Sequence, residues 1–239
     1  RGGARIHHVL AQVGAAVDPR QDQVGGRIAH DLRHPLTRLR NHIEELRDEA
    51  TRESATPEKQ QALADLAGEC DALLGTFQAI LRISNIESAR RHSGFRDVQF
   101  HRLVQDVIEL YEPMAAEKHI TIVTDVHPTT TLGDKDLLFQ AVTNLIDNAV
   151  KYTPEGGNIT VQVEPFDTGS RLVIRDSGRG VPDEHKPYIF RRFYRVDASR
   201  STPGSGLGLA LVGAIVKLHQ GHIFVADNEP TGLSVTVTI

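Results

Sequence analysis

The sequence predicts an α+β chain in two parts, an N-terminal helical hairpin followed by a mixed domain of helices and strands, and three patterns carry that prediction. Apolar residues recur at three-to-four spacing from Val24 to Leu46 and again from Leu63 to Ile86. From Phe95 onward, short strand-like runs alternate with helix-like ones. Two of the strand pairs are separated by Asp167-Thr-Gly-Ser and Asn228-Glu-Pro-Thr-Gly, turn-forming stretches that favour hairpins. A chain of 239 residues is long for one domain and comfortable for two. The expected division is a linker or signal-input segment at 1–21, the hairpin at 22–93 and the second domain at 94–239.

The first helix is read from the stripe Val24, Ile28, Leu32, Leu36, Leu39, Ile43 and Leu46. Pro35 falls inside the stripe, where it removes one backbone hydrogen bond and bends the helix without ending it. The second helix starts at Thr56-Pro57, a capping residue followed by proline at the first helical position. Its stripe runs through Leu63, Leu66, Cys70, Leu73, Phe77, Ile80 or Leu81, and Ile86 until Ser93-Gly94 closes it. A two-helix hairpin cannot cover both sides of its own seam, so a dimeric four-helix bundle is the economical solution. In the second domain, helices are expected over 101–118, 135–151 and 207–219. Strands are expected over 120–126, 159–163, 172–174, 223–226 and 233–239.

Composition narrows the function classes. Apolar residues at 39% and charged residues at 24% describe a globular chain. A formal net charge of -4 gives no general attraction to nucleic acid. The single cysteine, Cys70, can form neither an internal disulfide nor a cysteine metal cluster. No run approaches the ~20 apolar residues of a membrane span. The start on Arg1 is expected of a fragment, and membrane attachment only through a segment upstream of it.

Four clusters carry candidate chemistry. In His30-Asp31-Leu-Arg-His34-Pro35, a rotation of roughly 100° per residue turns His30 away from the Ile28/Leu32 stripe. Asp31 could fix one ring nitrogen as N–H and sharpen the other as a nucleophile, although an exposed His-Asp pair alone is most often a solvated surface feature. In Asn144-Leu-Ile-Asp-Asn148-Ala-Val-Lys151-Tyr152, Asn144, Asn148 and Lys151 share one helical face, a set suited to hydrated Mg²⁺ and phosphate; a polar outer face is the equal alternative. Asp176-Ser-Gly178-Arg-Gly180 follows a strand and offers a carboxylate to an exocyclic amine such as that of adenine. Glycines there let a flat ring approach, and an ordinary Asp-Gly turn is the default rival. Gly204-Ser-Gly206-Leu207-Gly208 runs into a helix, a place for phosphate oxygens, and no strand leads into it as a dinucleotide fingerprint requires. The long loop before it interleaves Arg191, Arg192, Arg195 and Arg200 with Tyr188, Phe190, Phe193 and Tyr194, and reads as a lid.

In this order and spacing the four clusters resemble the H, N, G1 and G2 boxes of sensor histidine kinases. Phe190-Arg-Arg-Phe193-Tyr-Arg195 is similar to the F box of their ATP lid, and the resemblance covers nearly everything from Val24 to Ile239. It implies a cytoplasmic core, a homodimer through the hairpin, and a Bergerat-type α/β sandwich that binds ATP. His30 would accept the γ-phosphoryl group with Asp31 as adjacent acid/base. Asn148 would ligand Mg²⁺ with Asn144 close by, and Lys151 and Tyr152 would contact the nucleotide. Asp176 would hold adenine, Gly178, Gly180, Gly204, Gly206, Leu207 and Gly208 would shape pocket and lid, and Arg192 or Arg195 would face the transferring phosphate. The partner implied is a response regulator receiver domain. At His34 the family usually has Thr or Asn to orient the water of dephosphorylation, so phosphatase activity is expected to be weakened or altered. Related ATPases place a Glu where this chain has Asn144, and an amide cannot act as general base, which favours transfer to histidine over hydrolysis. A nucleotide-binding scaffold without activity is the third reading.

Overall fold

The computed structural model describes residues 56–88, 94–196 and 205–239. The chain divides into two units, Arg1–Ser88 and Ala89–Ile239. In the first, helix α1 spans Pro57–Ser88. It begins where the Thr56-Pro57 signal puts it, with Gln60 N–H donating to Thr56 O at 3.1 Å. Of its apolar stripe, Leu81 and Ile86 are buried, with Ile83 beside them, whereas Leu66 is exposed. The expected first helix, with His30, Asp31, His34 and Pro35, lies outside the described residues, as do 89–93 and Gly204.

The second unit runs β1 (Arg96–Val98), α2 (Phe100–Glu117), β2 (Thr121–Val126), β3 (Thr131–Gly133), α3 (Lys135–Tyr152), β4 (Asn158–Phe166), β5 (Gly169–Asp176), α4 (Gly208–Leu218), β6 (His222–Asp227) and β7 (Leu233–Thr238). Five strands form one sheet in the order β2-β4-β5-β7-β6. Only β2 and β4 are parallel; the β4–β5 and β6–β7 pairs are the two expected hairpins. The β4–β5 turn is tight, with Phe166 opposite Gly169, and Asp167 takes φ +50°, a conformation Asp tolerates better than most residues.

Period-two alternation sets the layers. Ile159, Val161 and Val163 of β4, Leu172 and Ile174 of β5, and Val235 and Val237 of β7 are buried on one face. Against that layer pack Leu103 and Val107 of α2, Leu138, Val142 and Ile146 of α3, and Leu211 and Ile215 of α4, with α3 between its two neighbours. Val123 and Phe224 remain exposed on the sheet.

Helix α3 is set at both ends. Asp134 caps its start, Oδ1 accepting from Asp136 N at 3.0 Å and Leu137 N at 3.1 Å. His219, after α4, accepts from Asp134 N at Nε2 (3.0 Å), and its Nδ1 lies 2.8 Å from Ile215 O. At the far end Thr153 N and Oγ1 both donate to Ala149 O. The ribbon of β1 and β3 was not expected: it pairs two three-residue strands, Arg96 opposite Gly133, too short to show alternation.

Candidate nucleotide site

The last two turns of α3, the end of β5 and the start of α4 enclose a cavity of about 320 Å³. From α3 it is lined by Asn144, Asp147, Asn148, Lys151 and Tyr152, and from β5 by Ile174 and Asp176. Gly206 and Gly208 line the side toward α4, and Tyr194 and Arg195 come from the preceding loop. Apolar walls are supplied by Val181, Ile189, Leu233 and Val235. An apolar pocket carrying a few convergent polar groups is what binds a flat heterocycle with charged substituents.

Asp176, the last residue of β5, is 7% exposed. Its Oδ1 accepts from Gly178 N at 2.9 Å and from Leu233 N at 3.3 Å, and its backbone oxygen accepts from Asn228 Nδ2 at 2.9 Å. Burial pushes the carboxyl above the usual carboxylate range, and the two backbone donors pull it part of the way back. With Oδ1 so engaged, Oδ2 is the oxygen left to a guest in the cavity.

On α3, Asn148 Nδ2 donates to Asn144 O at 2.8 Å, one turn earlier, which leaves Asn148 Oδ1 as the acceptor of that amide. Asn144, which lines the cavity, has a buried Nδ2 with no hydrogen-bond partner among the described residues, and such an orphan donor is the mark of a group waiting for a ligand or a water. Beside them Asp147 receives the hydroxyl of Tyr111. Burial first, then the charge and hydrogen bond of Asp147, push the Tyr111 phenol up to about 12. Tyr152 is exposed, with Lys151 Nζ 5.2 Å and Arg179 Cζ 5.3 Å from its ring centroid.

Glycine is required where these elements converge. A Cβ at Gly178 would lie 2.6 Å from Tyr152 O and 2.8 Å from Asp176 Oδ1, so only glycine lets the ends of α3 and β5 approach. Gly206 holds φ +70°, and a Cβ there would come within 2.9 Å of the Phe193 carbonyl carbon. Phe193 N–H donates to Gly206 O at 3.0 Å, tying the arginine-rich loop to the base of α4. That loop is further held by His185 Nδ1 against the Tyr194 hydroxyl, by Tyr188 packed on Tyr194, and by Arg191 over the Tyr188 ring at 4.4 Å. Lys186 Nζ donates to Asp183 and Asp227, both at 2.6 Å.

Several residues stand elsewhere than the sequence placed them. Leu207, read as part of the pocket, is 1% exposed, and its side chain belongs to the core under α4 rather than to the cavity wall. Gly178 does not line the cavity; its N–H holds Asp176 instead. Arg195 lines the cavity and Arg192 does not. Missing from the sequence reading were Asp147, Arg179, Ser205 and the β7 wall of Leu233 and Val235. Arg179 could have been found from its place between two glycines. The β7 residues carry no local signal, because they reach the site only through the β5–β7 pairing.

No helix among the described residues is long and apolar enough to cross a membrane. Residues 20–89 match the histidine kinase A phospho-acceptor domain, and residues 133–239 match the histidine kinase-, DNA gyrase B- and HSP90-like ATPase family. The chain is 33% identical to the adaptive-response sensory kinase SasA of Crocosphaera subtropica over 88% of its own length and 56% of that protein. It is 30% identical to the sensor histidine kinase WalK of Bacillus subtilis over 93% of its length and 37% of that one. It therefore spans little more than half of one curated relative and less of the other. Among solved structures it is similar to the mycobacterial sensor histidine kinase MprB, with 33% identity, a TM-score of 0.54, and coverage of 60% of this chain and 95% of that one. It is also similar to full-length ShkA in complex with AMPPNP, with 27% identity, a TM-score of 0.73, and coverage of 92% and 45%. With an ATPase-family domain behind a phospho-acceptor domain, the chain belongs to the sensor histidine kinases.

Proposed function

We propose that this chain is the catalytic core of a two-component sensor histidine kinase: it binds ATP in the α3–β5–α4 cavity, transfers the γ-phosphoryl group to His30, and passes it to an aspartate of a response regulator. The observation that carries the reading is the convergence of Asn144, Asn148, Lys151, Asp176, Gly206 and Gly208 on one cavity. That the related ShkA structure contains AMPPNP supports ATP as the guest. We further propose 22–93 as the dimerising phosphotransfer hairpin, 94–239 as the catalytic domain, and a homodimer as the working unit.

In this reading Asp176 Oδ2 accepts from the exocyclic amine of adenine, while Gly178 and Leu233 N–H keep the carboxylate from rotating. Ile174, Val181 and Val235 exclude water from the ring faces. Asn148 Oδ1, its amide fixed by Asn144 O, fits an oxygen ligand for Mg²⁺, and Asn144 Nδ2 has a hydrogen bond to give to a phosphate or water oxygen. When bound, that ion neutralises charge on the β- and γ-phosphates. Lys151 and Arg195 add cations at the cavity, with Arg192 nearby in the same loop. The His30 ring nitrogen attacks the γ-phosphorus as the bond to the ADP oxygen breaks; Asp31 steadies the imidazole and takes its proton. Asn144, an amide where a hydrolytic ATPase carries its base, favours this outcome over attack by water.

The test is incubation with γ-labelled ATP and Mg²⁺. An acid-labile, alkali-stable phosphoprotein that is lost in His30→Gln and in Asn148→Asp is expected. Steady release of phosphate without label would favour the ATPase reading, and bound nucleotide with neither label nor release the scaffold.

A further inference from the structure

Lys118 stands immediately after α2, half-buried and remote in sequence from every nucleotide motif. Its ammonium reaches across to the end of α3, donating to Val150 O at 2.7 Å, Thr153 O at 2.7 Å and Lys151 O at 3.3 Å. Its own carbonyl accepts from Gly156 N at 3.0 Å, so main chain and side chain clamp the same loop. The last carbonyls of a helix have no partners within it and form the negative end of the helix dipole. Here Thr153 serves Ala149 O, and the three donors of one lysine serve three of the carbonyls that follow. Lys151 and Tyr152 leave the backbone from this turn. Tyr152 O in turn sits so close to Gly178 that a Cβ there would approach it to 2.6 Å. A fixed α3 terminus is therefore a condition for both the Lys151/Tyr152 side of the cavity and the Asp176–Gly178 turn.

We infer that Lys118 is a positioning residue for the nucleotide site, holding the last turn of α3 so that Lys151 and Tyr152 meet the nucleotide; the inference rests on reading those two residues as nucleotide contacts. Its removal leaves the partly buried Val150 and Thr153 carbonyls without their charged donor, and the turn frays. Because Lys151 and Tyr152 act on bound nucleotide before and during transfer alike, the loss falls on affinity rather than on turnover.

The experiment compares Lys118→Met, Lys118→Arg, Val107→Ala and Asn148→Asp in the full chain, measuring ATP dissociation constants by calorimetry and autophosphorylation at varied ATP. Lys118→Met is expected to raise Kd and KM by about tenfold with saturated turnover near parent, the equivalent of one charge-assisted hydrogen bond. Lys118→Arg, which keeps the cation and its donors, is expected to return both to within about threefold. Val107→Ala, a core truncation in α2, reports what lowered stability alone does, and its Kd is expected to match the parent. If Lys118→Met does not fold, Lys118→Gln takes its place with an expected rise of about threefold. A Kd within twofold of parent in the lysine variants, with binding lost in Asn148→Asp, overturns the inference alone. Parent-like binding in Asn148→Asp overturns the nucleotide-site reading beneath it.

Discussion

Replacing Asp176 by Asn separates the carboxylate's part in the fold from its part in recognition. Both backbone donors, Gly178 N and Leu233 N, converge on Oδ1. An asparagine carbonyl oxygen can occupy that position and keep both bonds. What changes is the second atom, which turns from an acceptor into an NH₂ donor facing the cavity. Against the exocyclic amine of adenine it then presents donor to donor. The lost hydrogen bond to a charged group costs about 1.5–3 kcal/mol, or roughly 10- to 150-fold in ATP affinity. Stability moves the other way. Burial raises the carboxyl's folded pKa above its ordinary 3.8, so the native state holds this proton more tightly than the unfolded chain does. The group's contribution to stability is therefore greatest below the unfolded value and falls as pH rises through the raised folded one. At pH 7 the neutral amide removes that penalty, and Asp176→Asn is expected to melt at or above the parent temperature while binding ATP weakly. The same amide can donate to the 6-oxo group of guanine, so the ratio of GTP to ATP affinity should rise. Calorimetric titration with both nucleotides alongside thermal melts measures all three effects. ATP affinity equal to the parent's, or a loss of affinity that merely tracks a lower melting temperature, would rule out a recognition role for Oδ2 separate from the fold.

Three other outcomes follow from the same geometry and sequence. Gly206→Ala forces a side chain onto a backbone at φ +70° against Phe193; it should lose about 1–2 kcal/mol and melt about 3–8 °C lower. Gly208→Ala meets only ordinary contacts, the nearest at 3.7 Å from Asn144 Oδ1, and should melt as the parent does; equal melting of the two variants would contradict this. Tyr111 keeps its proton up to about 12 when folded, against an ordinary 10.0. Unfolding thus releases a proton above pH 10, and stability should fall from there toward pH 12, a slope that urea titrations should find reduced in Tyr111→Phe. His34→Thr should raise dephosphorylation of a phosphorylated receiver domain relative to the parent, and matched rates would refute the role given to His34.

How much of this could be read in advance depended on whether the signal was local. Helix α3 announced both its face and its extent: Asn144, Asn148 and Lys151 share one side, and the helix expected over 135–151 runs Lys135–Tyr152. The hairpin turns at Asp167 and after Asn228 were equally plain, because turn chemistry is written in adjacent residues. What stayed hidden was set by pairing across long stretches of chain. Strands β1 and β3 are held together across helix α2, and Leu233 and Val235 become cavity walls only when β7 docks on β5. Membership in a glycine motif says nothing about direction: Leu207, the residue just before α4, is buried, and Gly206 and Gly208 on either side line the cavity. Lys118 was passed over for a related reason, since a lysine at a helix end looks solvated until the carbonyls of another helix are found around its ammonium.

In the proposed transfer one imidazole, that of His30, receives the phosphoryl group. His30 and His34 lie one helical turn apart in sequence, so fragmentation mass spectrometry at alkaline pH, on chain freshly labelled with ATP and Mg²⁺, can decide between them. Phosphate on the ring of His30, absent when Asn148→Asp disables the cavity, is the expected result; phosphate on His34, or on no histidine at all, would contradict it.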